Sequence, residues 1–92
     1  MILIDQDRTS IINFDNVTSL HIVNVERDTH IRVQTNNGDH KYLGKYKTEE
    51  RAMEILQEII KFHDVTKIKM MLQSTAMLNL KGNDFAYGMP EK

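Results

Sequence analysis

The chain contains no cysteine and no tryptophan, and only one proline and four glycines in 92 residues. Without cysteine there is no disulfide framework, no thiolate metal site and no thiol nucleophile. Long apolar runs are missing too: no uncharged stretch approaches the ~20 residues that a membrane-spanning helix needs. The opening Met1-Ile2-Leu3-Ile4-Asp5 has neither the basic region nor the apolar core of a signal peptide. The cytoplasm is therefore the expected location, with no membrane partner. Neither sign of charge prevails, since 12 basic and 13 acidic residues leave a net charge of −1. That balance lacks the basic excess of a typical nucleic-acid-binding domain. Gly38, Gly44, Gly82 and Gly88 are too far apart for a phosphate-binding loop, and no G-x-S-x-G arrangement occurs. The expectation is no cofactor and no enzymatic activity.

What is there suits one small globular domain, with 40% hydrophobic and 27% charged residues. A chain of this size buries only about 60% of its unfolded surface, so help from a partner subunit is a natural expectation. Ile2 to Ile4 and Ser10 to Phe14 read as brief strands joined by the polar turn Asp5-Gln6-Asp7-Arg8. Asn37-Gly38 is a strong hairpin signal, because a type I′ turn needs positive φ at both central residues. It sets Val33 opposite Tyr42 and Ile31 opposite Gly44. A second two-residue turn at Arg27-Asp28 sets Ile22 opposite Val33 and Leu20 opposite Thr35. Both registers put Leu20, Ile22, Ile31, Val33 and Tyr42 on one face. The other face then carries His21, His30, Arg32, Gln34, Lys41 and Lys45, with Val23, Val25 and Leu43 among them.

Thr48 suits a helix N-cap, with Glu49 and Glu50 well placed against the helix dipole. Ala52, Met53, Ile55, Leu56, Ile59, Ile60 and His63 then recur at helical spacing. No glycine or proline occurs between Lys45 and Lys81 to force an end. The expected fold is α+β: an antiparallel β-meander of about four or five strands, then one long amphipathic helix, with a pleckstrin-like or small barrel closure as the alternative. Residues 1–81 read as a single domain and 82–92, with Gly82, Gly88 and Pro90, as a C-terminal tail.

Chemistry is sparse. The four histidines do not pair at metal-ligand spacing, so no metal is expected. Asp5, Asp7 and Asp15 read as turn formers rather than an acid–base pair, which would need a cleft to separate their pKa values. Arg32, Lys41 and Lys45 are candidate contacts for single-stranded nucleic acid, although the expected register turns Tyr46 to the opposite face. Met70, Met71, Leu72, Met77, Leu78 and Leu80 form the candidate interface, because methionine-rich apolar segments adapt to docking partners. The leading expectation is thus a non-enzymatic interaction or self-assembly module, a homo-oligomer or a binder of another protein.

The stretch Tyr42-x-Gly44-x-Tyr46-x-Thr48-Glu49-Glu50-Arg51-Ala52, with Ile55-Leu56 and Glu58-Ile59, resembles a strand-to-helix pattern of small uncharacterised proteins of Gram-positive bacteria and their phages. The ending Tyr87-x-Met89-Pro90-Glu91 is similar to the end of those chains. The resemblance implies a sheet-plus-helix fold, an intracellular protein and a phage or mobile-element origin. It implies no activity and no site residues.

Overall fold

A computed structural model describes the backbone of residues 1–76 and 86–92, and side chains for 1–65 and 86–92. Among these residues it shows an α+β protein with two three-stranded sheets and one α-helix. The first sheet contains β1 (Ile2–Ile4), β2 (Ile11–Asn13) and β6 (Ala86–Gly88), in the order β2-β1-β6. The second is the meander β3 (Val17–Val25), β4 (Asp28–Thr35) and β5 (His40–Tyr46). Helix α1 (Glu49–Ala76) follows β5 directly. Among the described residues no helix is long and apolar enough to cross a membrane.

β1 and β2 are joined by a turn organised around Asp5. Its Oδ1 accepts the backbone N–H groups of Thr9 at 3.0 Å and Ser10 at 3.1 Å, while Arg8 adopts a φ of 64°. A short 3-10 turn, Phe14–Asn16, is capped by Asn13, whose side chain accepts from the Asp15 N–H. It delivers the chain into β3.

The meander exists as expected, but both hairpin registers differ from the sequence reading. The β3–β4 turn is Glu26-Arg27, one position earlier than expected, and Glu26 takes the positive φ of 57°. Ile22 therefore faces Ile31 and Leu20 faces Val33. A two-residue change in pairing preserves side-chain parity, so these four still share a face. At the other hairpin only Gly38 has positive φ, and the loop is the three-residue Asn36-Asn37-Gly38 closed by a Thr35 N–H to Asp39 C=O bond of 2.9 Å. This is a type I turn followed by a left-handed glycine, not the two-residue I′ turn. A bulge at Leu43 then absorbs the offset: Arg32 faces Tyr42, yet Ile31 faces Gly44.

The bulge re-sorts the faces of β5. Tyr42, expected in the core, points outward and is 50% exposed, while Leu43, expected outside, is buried. Lys41 pairs with Val33 and so belongs to the inner face, not the outer one. Tyr46 pairs with Thr29 and is buried.

The core joins both sheets and the helix: Leu3, Ile31, Val33, Leu43, Tyr46, Ala52, Ile55, Ile59 and Met89. Thr48 caps the helix as expected, its Oγ1 accepting the Arg51 N–H at 3.1 Å. The buried stripe is narrower than the apolar pattern, because Met53 and Ile60 face outward. The helix runs to Ala76, well past His63, in line with the absence of a glycine or proline stop.

The tail reading needs correction for residues 86–89. Ala86–Gly88 forms a parallel strand against β1, the Met89 N–H donates to the Ile4 carbonyl at 2.9 Å, and the Met89 side chain is buried. The strands thus form two sheets rather than one closed barrel, and one of their pairings is parallel.

Candidate functional site

The two faces and two edges of the meander hold the features that bear on function. On the outer face, cross-strand rows read His21–Arg32–Tyr42 and Val23–His30–Lys45. The His30 and Tyr42 rings lie 4.9 Å apart. Lys45 Nζ is 4.0 Å from Asp28. Arg32 Nε is buried without a hydrogen-bond partner among the described residues. The expected trio Arg32, Lys41 and Lys45 is not one patch: Lys41 lies on the inner face, 3.5 Å from the Asp5 carboxylate and bonded to Ser10 Oγ. In its place the bulge brings an aromatic ring, Tyr42, between Arg32 and Lys45. A bulge cannot be read from alternation alone, so sequence reasoning placed Tyr42 inside.

Beside Tyr42 a shallow cleft of about 180 Å³ is lined by Asp5, Gln6, Asp7, His30 and Lys45. Both acids belong to the turn, since Asp5 and Asp7 accept from Thr9. Burial pushes the Asp5 carboxyl up, but the N–H groups of Ser10 and Thr9 and the nearby Lys41 ammonium outweigh it and hold the pKa below its ordinary value of 3.8. A larger groove of about 640 Å³ lies between β2 and the tip of the β4–β5 hairpin. Part of its polar lining is engaged within the turn, where Asn37 bonds Thr35 and Asp39.

A third polar cluster ties the helix to the C-terminal residues. Tyr87 Oη donates to Glu58 Oε2 at 2.7 Å, Tyr46 Oη donates to the Pro90 carbonyl at 2.8 Å, and Arg51 reaches Glu54, Glu58 and the Lys92 carbonyl. Burial pushes the Tyr46 hydroxyl up to about 12, and burial with the Glu58 hydrogen bond raises Tyr87 as well. Glu54 and Glu58 remain more than half exposed within it. Among the described residues no group of three His, Asp or Glu side chains converges to hold a metal ion.

The two edges of the meander differ. β5 carries Lys41, Lys45 and a bulge, and Gln6 covers its backbone: the Gln6 N–H donates to Leu43 O at 2.7 Å, Gln6 Oε1 accepts the Lys45 N–H at 2.8 Å, and Gln6 Nε2 donates to Lys45 O at 3.0 Å. β3 has no such cover. Among the described residues no strand pairs with its outer edge. Its nine residues, Val-Thr-Ser-Leu-His-Ile-Val-Asn-Val, include no Lys, Arg, Asp, Glu or Pro, the usual protection of an edge. None of the nine is fully buried: Leu20 and Ile22, though on the inner face, are only half-covered, and Val25 is 40% exposed.

The candidate interface at Met70, Met71, Leu72, Met77, Leu78 and Leu80 lies outside the residues whose side chains are described. Compared with family models, with curated proteins and with solved structures, the chain shows no match.

Proposed function

We propose that this protein is a non-enzymatic self-assembly module that pairs through the open edge of β3. The observation that carries this reading is a nine-residue edge strand without a charged or proline guard, whose inner-face Leu20 and Ile22 are left half-buried in a sheet otherwise closed by the helix. Such an edge presents a row of unpaired backbone donors and acceptors and is a template for a further strand. A phage or mobile-element origin belongs to the same reading, on the strength of the Tyr42–Ile59 pattern alone. The test is light scattering across a concentration series on the wild-type chain and on Val23→Lys, which places a charge on the outer face of the edge. A wild-type oligomer that becomes a folded monomer on this change supports the reading. A wild type that stays monomeric at every concentration overturns it.

A second reading is favoured by one observation. Tyr42 stands exposed between Arg32 and Lys45, as in a stacking platform for single-stranded nucleic acid. Asp28 beside Lys45 and Asp7 beside Tyr42 weigh against it, because both repel phosphates. Fluorescence anisotropy with a labelled oligonucleotide decides: binding that weakens with salt and is lost in Tyr42→Ala supports this reading, and no binding at low salt removes it.

A further inference from the structure

We infer that the occupant of the β3 edge is the β3 edge of a second copy, paired antiparallel about a two-fold axis that passes through residue 21. The inference rests on the self-assembly reading and specifies its partner and geometry.

Two identical strands that pair antiparallel are necessarily related by a two-fold axis, the commonest symmetry of homo-oligomers. The remaining question is register. Inner face must meet inner face, so only registers that preserve parity are open to the pair. With residue 21 on the axis, Leu20 faces Ile22 of the second copy on the inner side, and Ser19 faces Val23 on the outer side. The half-buried aliphatics of both chains then cover each other. An axis at residue 22 sets Leu20 opposite Asn24. An axis at residue 20 sets Ile22 opposite Thr18 and runs the strand end into the Phe14–Asn16 turn. A bulge between Val17 and Ser19 ends the regular part of the strand, so this register engages Ser19 to Val23 of both copies, which lie wholly within the regular stretch. The strand's lack of charged residues removes the like-charge clash that a symmetric contact otherwise meets.

The axis has a chemical consequence at His21. It sets the two His21 rings side by side on the outer face, roughly 4.5–5.5 Å apart at Cβ for directly opposed residues. The groups flanking each ring are Ser19, whose Oγ is 2.9 Å from Nε2, with Val23 on the same strand and His30, Arg32 and Gln34 on β4. None of them is a carboxylate. The axis therefore sets two imidazoles against each other beside two guanidinium groups, with no carboxylate to offset a positive charge placed there.

The absence of native cysteine makes the test direct. In His21→Cys, oxidation or a short bismaleimide joins two chains, because opposed residues meet the spacing a disulfide needs. In Val25→Cys the two thiols lie about 26 Å apart along the strands and stay unlinked. The Ser19→Cys/Val23→Cys double variant, whose thiols face each other across the same axis, stands in if His21→Cys fails to fold. Light scattering is expected to show dimer dissociation at least tenfold stronger in His21→Lys, which fixes two like charges on the axis, and unchanged dimers in His21→Gln. A chain that is dimeric by light scattering but unlinked at residue 21 and at the 19/23 pair, or linked equally well at 25, overturns the axis and leaves self-assembly standing. Dimers equally stable in His21→Lys and the wild type overturn the His21 contact. A monomer at every concentration overturns both readings.

Discussion

The two edges of one three-stranded sheet have been treated in opposite ways. β5 is closed by a single side chain, Gln6, which mimics a neighbouring strand by bonding Lys45 N–H and C=O while its own N–H takes the Leu43 carbonyl. Two lysines and a bulge complete that protection. β3, longer and uncharged, has a bulge near its start, between Val17 and Ser19, but neither a covering side chain nor a lysine. The inner side chains follow the same division. Ile22 and Ile31 face each other across the β3–β4 ladder, yet Ile31 is wholly buried and Ile22 is not. Identical residues in adjacent strands thus report the difference between a strand flanked on both sides, β4, and one flanked on a single side, β3.

That contrast can be tested most forcefully at the isoleucine pair. Ile31→Ala should cost about 2–5 kcal/mol, the range for truncating a fully enclosed aliphatic. Ile22→Ala in dilute monomer should cost about half as much, read by urea unfolding of both variants. Equal costs would mean that β3 is as enclosed as β4 and would break the comparison.

Asp5 comes next, since it anchors the turn from which Gln6 reaches β5. Asp5→Asn should cost about 1.5–3 kcal/mol, the scale of hydrogen bonds to a charged acceptor. Because the folded-state pKa is depressed, the unfolded chain binds the proton more readily. The stabilisation is complete above the ordinary carboxylate value and is lost as pH falls below it through the folded-state value. Thermal unfolding from pH 6 to pH 2.5 should therefore show a smaller acid loss in Asp5→Asn than in the wild type.

Gln6→Ala should cost less, about 1–2 kcal/mol, but it opens the second edge. Larger assemblies than the wild type's, seen by light scattering, are the expected outcome. An unchanged mass would show that the lysines and the bulge suffice. The smallest change in stability is expected for Val23→Lys, about 1 kcal/mol or less at a half-buried outer-face position, even though it is expected to abolish the proposed pairing.

Much of this arrangement is legible in the residues. The alternation from Leu20 to Ile22 and from Ile31 to Val33 fixes the inner face, and it survives a turn displaced by one residue because the pairing moves by two. Thr48 announces the helix start by its capping hydroxyl. The fate of Tyr42 and Leu43 is not legible, because a bulge exchanges neighbours without altering composition, and Gly38 serves a three-residue loop as readily as a two-residue one. Ala86–Gly88 escapes for a different reason: three residues carry no period, and their partner is β1, far away along the chain. The β3 edge was open to reading throughout, as nine successive residues without a formal charge, but its importance depends on knowing which strands flank it.

The parallel pairing of β6 with β1 has a consequence for how the molecule is made. Gln6 and Pro90, in contact at 3.2 Å, are separated by 84 positions, so β1 leaves the ribosome long before its neighbour has been synthesised. Until then Leu3 lacks the covering contributed by Met89, and the meander can fold ahead of the sheet that flanks it. Contacts of such long range slow folding. A stalled or truncated chain would thus expose β1 without its second neighbour while the meander is already formed, a state that cellular proteases and chaperones can recognise by its uncovered strand.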